Sequence, residues 1–186
     1  MQRRTPIRGA RVELCRPAPS DRRAFVEATR RSRSLHRPWV HPPTTPSGFD
    51  SWMCEGEDGR RERWLVWRTA DRALVGYVAA NEVVFGAFQS AYLGYWATEG
   101  CQGQGLMSEA VGVVLDHLFT RRSFRLHRLE ANIQPENARS RALAEGLGFR
   151  LEGLSRRYLK VAGRWRDHER WAITAEDWRA SRRRAG

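Results

Sequence analysis

Between Gly100 and Ala110 the chain reads GCQGQGLMSEA: three glycines within six residues, just ahead of an apolar pattern with helical spacing. A helix N-terminus presents free backbone N–H groups and the positive end of the helix dipole. Glycines before it let a bulky anion reach the main chain without striking a Cβ. These residue types therefore point to a pyrophosphate, met by the amides of Gly103, Gln104, Gly105, Leu106 and Met107. Three phosphate-binding patterns compete for the stretch. A P-loop needs a Lys-Ser/Thr pair after its last glycine, and none is present. A dinucleotide fingerprint needs G-x-G-x-x-G, but position 108 is serine and the strands before it read as antiparallel. The third pattern, Q/R-x-x-G-x-G/A between a strand and a helix, is met by Gln102 and Gly105. Met107 departs from it, because the last position is usually small. Cys101 sits inside the loop with no His or Asp near it in sequence, so it reads as an incidental cysteine.

Elements must hold this loop in place. Met107, Ala110, Val111, Val114, Leu115 and Leu118 fall at i, i+3, i+4, i+7, i+8 and i+11, a single helical stripe that a strand cannot produce. Ahead of it, RERWLVWRT, ALVGYVAANEVV and SAYLGYWA read as strands of an antiparallel meander. RVELCRPA reads as a first strand, and a helix follows with Ser20-Asp21 near its cap. HRPWVHPPTTP is too rich in proline for a regular helix or a central strand. A short helix is expected from near Pro46 to Glu55. Beyond the loop helix, HRLEANI reads as a strand and QPENARSRALAEGLGF as a helix with Asn137 near its cap. RLEGLSRRYLKVAGRWRDHERWAIT reads as two strands joined at VAGR. The order implies one mixed α/β sheet built around a crossover unit.

The 186 residues suit one domain with a real core, taken here as 1–186 with its body from about 8 to 178. Hydrophobic content of 41% argues against wholesale disorder. No apolar run reaches the length of a membrane span, and the N-terminal residues lack the apolar segment of a signal peptide. Three widely spaced cysteines form no metal-ligand pattern and fit free thiols in a reducing cytoplasm. No metal is expected. The net charge of +12 comes almost wholly from arginine, since Lys160 is the only lysine. Phosphate contact alone would not exclude lysine, so a general bias of composition explains the excess as readily as an anionic partner. A CoA-type ligand or a ribosome would each serve as that partner.

LGYWATEGCQGQGLMSEA, HRLEANIQPENARSRALAEGLGF and YLKVAGRWRDHERWAIT, in that order, resemble the GNAT superfamily of acetyl-CoA-dependent N-acetyltransferases. Within it they are most similar to the RimJ/RimL type, which acetylates the N-terminal amine of ribosomal proteins. The resemblance runs from about Arg8 to Trp178. It implies an α/β fold with a mixed, mostly antiparallel sheet splayed between its fourth and fifth strands, flanked by helices, and acetyl-CoA wedged in the opening. On that model Leu93, Tyr95, Trp96 and Ala97 lie in the fourth strand, which lends main-chain groups to pantetheine. Gln102, Ser108, Asn132 and Asn137 complete the cofactor contacts. Ser140, one helical turn after Asn137, is the implied acid for the departing thiolate, with Tyr158 as its rival.

Acetyl transfer to an amine needs a neutral amine beside a polarised thioester. No strong general base stands out. Glu82 and Glu130 are candidates, though Glu130 shares a strand face with Arg128 and Asn132, which suggests an ion pair. His168, with Asp167, could bind substrate or serve as base, or simply support the hairpin. The missing base favours an α-amine, with a pKa of about 7.7–8.0, over a lysine amine that would cost roughly 3 kcal/mol more to deprotonate. Trp39 beside prolines offers a rigid aromatic wall for a peptide, whereas Trp52, Trp64 and Trp67 read as packing. The expectation is a cytoplasmic enzyme, monomer or homodimer, acetylating a protein N-terminus. Two alternatives stand beside it: a small-molecule amine acetyltransferase acting on a polyamine or antibiotic, and a basic RNA- or ribosome-binding module on a relic acetyltransferase fold.

Overall fold

The computed structural model describes residues 5–55, 60–121 and 123–185. Its centre is one eight-stranded sheet in the order β1-β2-β3-β4-β5-β6-β8-β7. The strands are β1 (Ile7–Arg8), β2 (Val12–Cys15), β3 (Glu62–Arg68), β4 (Leu74–Val84), β5 (Ser90–Ala97), β6 (Arg128–Ile133), β7 (Arg150–Val161) and β8 (Arg164–Thr174). The helices are α1 (Arg22–Arg31), α2 (Arg33–His36), α3 (Pro46–Cys54), α4 (Leu106–Thr120), α5 (Ala138–Gly146) and α6 (Ala175–Ala185). Every pairing is antiparallel except β5 with β6. That parallel pair needs a crossover, and α4 supplies it.

Both faces of the central strands are covered, so their sequences read as nearly continuous apolar runs. One face carries α4: the whole stripe from Met107 to Leu118 is buried against residues such as Val66, Val78, Leu129 and Ile173. Each such side chain contributes about 1.5–3 kcal/mol on burial, so this one stripe outweighs any polar contact of the helix. The other face carries α1 and α3, where Phe25 and Phe49 pack on Leu65, Trp67, Tyr77 and Ala79. Trp64 and Trp67 are core residues, and Trp52 stacks on Phe25 with ring centroids 4.9 Å apart.

The expected elements are present, with three differences. A two-residue β1 precedes the expected first strand, so the anticipated fourth and fifth strands are β5 and β6. Asp21 does not cap α1 with its side chain; its carboxylate accepts from the Ala18 amide at 2.8 Å instead. A sixth helix, α6, closes the described chain, and Trp178 is its buried apolar anchor. The indole N–H of Trp178 donates to Asp116 on α4 at 2.7 Å.

Gly76 of β4 lies where α4 approaches the sheet. A Cβ there would stand 2.2 Å from the Trp96 carbonyl oxygen and 2.8 Å from the Met107 sulfur. Gly112, within α4, would bring a Cβ no closer than 3.6 Å to Trp178. Two formally identical substitutions should therefore act in opposite directions. Gly76→Ala is expected to destabilise by about 3 kcal/mol or more through overpacking. Gly112→Ala is expected to stabilise by about 0.5–1 kcal/mol through helix propensity. Urea unfolding midpoints at constant m-value check both.

Candidate active site between the splayed strands

The parallel ladder between β5 and β6 runs only from Ser90 with Arg128 to Leu93 with Ala131, although β5 continues to Ala97 and β6 to Ile133. Past Leu93 the strands part. Thr98 N–H donates to the Val75 carbonyl at 2.8 Å, and the alternation of an antiparallel ladder then turns the main-chain groups of Tyr95 and Ala97 away from β4 and into the opening. A cleft of about 1020 Å³ occupies this opening and continues to the start of α4.

The loop ahead of α4 is shaped as the glycine spacing requires. Gly103 and Gly105 have φ of 71° and 72°, a left-handed region that disfavours side chains, and Gly105 is the N-cap of α4. The first turn of α4 leaves amides without intrahelical acceptors, facing the cleft. Arg11 stitches the loop down. Its Nε meets Glu109 at 2.9 Å, its amide donates to the same carboxylate at 2.6 Å, and its guanidinium donates to the Gln104 carbonyl at 3.0 Å. Burial alone would raise the pKa of Glu109, but the hydrogen bonds from Arg11 outweigh it and hold the carboxyl below its ordinary value. The bulk of Met107 is matched by the missing side chain of Gly76, whose Cβ would crowd its sulfur.

The opposite wall is α5. Asn137 caps it by accepting from the Ser140 amide at 3.2 Å. Tyr95 reaches across the opening, and its hydroxyl donates to the Ser140 carbonyl at 3.1 Å. Burial pushes the Tyr95 phenol well above its ordinary pKa, so it remains a donor at any physiological pH. Both main-chain groups of Ser140 are thus engaged, and Ser140 lines the cleft.

Of the residues expected to hold a cofactor, Tyr95, Trp96, Ala97, Gln102, Gly103, Gly105, Met107, Ser108, Asn137 and Ser140 line the cleft, as does Trp39 on the acceptor side. Leu93 and Leu106, expected to offer main-chain groups, bury their side chains in the apolar layer under α4. The Gln104 side chain turns back to donate to the Gly100 carbonyl at 2.7 Å. Asn132 lies outside the cleft lining, and its side-chain oxygen is buried without a hydrogen bond. None of the four proposed acid–base residues other than Ser140 lines the cleft. Glu82 is exposed, at a left-handed position (φ 47°) where β4 shifts register. Glu130 is ion-paired to Arg128 at 2.7 Å, and Arg128 also grips Glu152. Tyr158 and His168 face each other with ring centroids 6.3 Å apart, and the buried His168 ring meets the Arg166 carbonyl through Nδ1 at 3.0 Å.

The residue that sequence reasoning passed over is His36. Its buried imidazole lines the cleft, packs edge-on against Trp96 with centroids 5.0 Å apart, and places Nε2 2.9 Å from the Ala97 carbonyl. A carbonyl only accepts, so Nε2 carries the proton and Nδ1 is the bare nitrogen. Burial lowers the His36 pKa, keeping the ring neutral. Two main-chain amides, of Trp39 and Val40, donate to the His36 carbonyl at 2.7 and 3.0 Å, so His36 fixes the acceptor-side wall to β5. Among the described residues, no group of three or more His, Cys, Asp and Glu gathers as metal ligands.

A helix start made of glycine amides, opening onto strands that part after four pairs, is the arrangement of one fold family, and the family model of the acetyltransferase (GNAT) domain matches residues 11–150. The chain belongs to the GNAT acetyltransferase family. A probable N-acetyltransferase of Bacillus subtilis (strain 168), YjcK, is 37% identical over 112 residues, 60% of this chain and 61% of the relative. The [ribosomal protein uS5]-alanine N-acetyltransferase of Escherichia coli (strain K12) is 38% identical over 112 residues, covering 60% of this chain and 57% of that enzyme. The chain thus matches about three fifths of the length of these two curated relatives. Among solved structures, Mycobacterium smegmatis RimJ in complex with CoA-disulfide has 34% identity and a TM-score of 0.80, covering 89% of this chain and 82% of that one.

If Tyr95 braces this GNAT cleft, Tyr95→Phe should cost about 0.5–1.5 kcal/mol, since it removes the hydrogen bond to the Ser140 carbonyl. Hydrogen exchange should accelerate at residues 138–143 and hardly change in α4. Equal acceleration in both helices would contradict the bracing role.

Proposed function

We propose that this protein transfers the acetyl group of acetyl-CoA to the N-terminal α-amine of a protein, of the ribosomal-protein type. The observation that carries this reading is the continuity of the cleft. It runs from the amides before α4, suited to a pyrophosphate, along the unpaired edge of β5, suited to an amide-bearing pantetheine arm, to Trp39 on the acceptor side. The named activity of the Escherichia coli relative and the RimJ neighbour support the acceptor class.

The bound thioester would supply the activated acetyl group. The chain's own groups do the rest. Amides at the start of α4 and the helix dipole offset phosphate charge. Main-chain groups of Tyr95 fix the arm by strand-like hydrogen bonds. The hydroxyl of Ser140, whose main-chain amide and carbonyl are bound by Asn137 and Tyr95, is the proton donor to the departing sulfur. None of the expected bases Glu82, Glu130 and His168 lines the cleft, whereas Glu136 and the neutral His36, with its bare Nδ1, do. An α-amine, already partly neutral near pH 7–8, asks less of such groups than a lysine amine does. The cations Arg37 and Arg139 on the cleft walls would also repel a polyamine.

CoA at millimolar concentration should raise the melting temperature, and Gly105→Val should abolish the shift. An unchanged melting curve with the parent chain would defeat the acetyl-CoA reading. Ser140→Ala should lower kcat by about 10²–10⁴-fold with little change in CoA affinity.

A library of peptides with free N-termini, read by mass, tests the acceptor. Small first residues such as Ala or Ser should be acetylated at the α-amine, internal lysines spared, and the rate should rise through about pH 7–8. Turnover of spermidine or an aminoglycoside with no peptide acetylated would overturn this choice.

A further inference from the structure

The β7–β8 hairpin outruns the sheet that carries it. Pairing of β8 with β6 ends at Ile133 with Glu169, whereas β7 and β8 stay paired to Val161 with Arg164. The tip is a tight turn at Ala162 and Gly163, with φ of 49° and 78°, the left-handed pair that closes a two-residue hairpin. Residues 155–168 therefore form a two-stranded arm standing clear of the cleft.

Five cations decorate it: Arg156, Arg157, Lys160, Arg164 and Arg166, all exposed. None of their side chains makes a hydrogen bond or ion pair among the described residues. The one carboxylate within the arm, Asp167, accepts from the Arg157 main-chain amide at 2.7 Å. Elsewhere Arg11, Arg22, Arg68, Arg72 and Arg128 are ion-paired, while Arg31, Arg37 and Arg139 are, like the arm's cations, without an ion pair among the described residues; what sets the arm apart is five such cations on one hairpin. Trp165 is 61% exposed, with Lys160 directly across from it on the same face, and Arg164 and Arg166 alternate to the other face of the hairpin, so a strand that stacks on the indole meets Lys160 there and reaches these arginines over the edge of the arm. Charges on an edge strand discourage pairing with other chains, and β7 is an edge. That purpose accounts for the cations but runs against an exposed indole set among them.

We propose that this arm is an RNA-binding surface, taking the phosphates of a single strand on its arginines and Lys160 and stacking a base on Trp165. Unpaired guanidinium groups suit phosphate oxygens, and aromatic faces between cations are the platform on which unpaired bases stack. An acidic protein segment would need the cations but not the indole, so RNA is the better fit. The arm lies outside the acetyl-transfer cleft, and its test does not depend on the acceptor.

The probe is a fluorescein-labelled 20-nucleotide single-stranded RNA, followed by anisotropy from 50 to 300 mM salt. The parent chain should bind with a log–log salt slope of up to about −3.5, five cations at about −0.7 each. A variant carrying Arg156→Gln, Lys160→Gln, Arg164→Gln and Arg166→Gln should lose at least about 10-fold in affinity at 100 mM salt, with a slope no steeper than about −1. Trp165→Ala should weaken binding at an unchanged slope. Both variants should keep the parent's melting temperature and its CoA response. No binding by the parent at 50 mM salt overturns the proposal, as does a quadruple variant that binds like the parent. Competition by polyglutamate as effective as by unlabelled RNA would replace the RNA with an acidic protein.

Discussion

Everything at the cleft depends on β5 and β6 ceasing to pair after Leu93 and Ala131. Two parallel strands that continue side by side would normally go on bonding, because buried main-chain groups left alone are costly. Here the closure is blocked. Tyr95 fills the gap and spends its hydroxyl on the Ser140 carbonyl, so α5 cannot slide in against β5. On the other side His36 takes the Ala97 carbonyl, satisfying one group that the parting would otherwise strand. The opening is thus a balanced state: enough groups are engaged to make it stable, and enough remain to receive a ligand.

The charge arrangement at the head of α4 follows similar logic. An acidic residue in a first turn complements the helix dipole, and Glu109 sits there. Alone it would also weaken the field offered to an anion. Arg11 neutralises it and ties the Gln104 carbonyl in the same grip, so the loop gains rigidity without losing its attraction for phosphate.

Much of this was legible in the residues. The Met107-to-Leu118 stripe fixes α4, glycine spacing fixes the loop, and the VAGR turn fixes the last hairpin. What escaped was decided by partners distant in the chain. Nothing in HRPW says that His36 is buried against Trp96. The Arg128–Glu130 pair could be read from strand alternation, but Glu152 joins it from another strand. Helix α6 carries too few apolar residues to show a stripe; its place comes from Trp178, Ala175 and ion pairs of Asp177 and Arg182 with distant partners. Met107 looked like a departure from pattern, and only Gly76, thirty-one positions earlier, accounts for it.

Helix α4 is fastened near one end by Arg11 and along its length by Trp178. These two contacts span 98 and 62 positions of sequence. The first needs chain that precedes the helix and the second chain that follows it, and such long-range closures are slow. During synthesis, Arg11 must wait for α4 to emerge, and the second fastening waits for Trp178. The two fastenings therefore form in order, the anion-facing end of the helix first and the Trp178 contact after it.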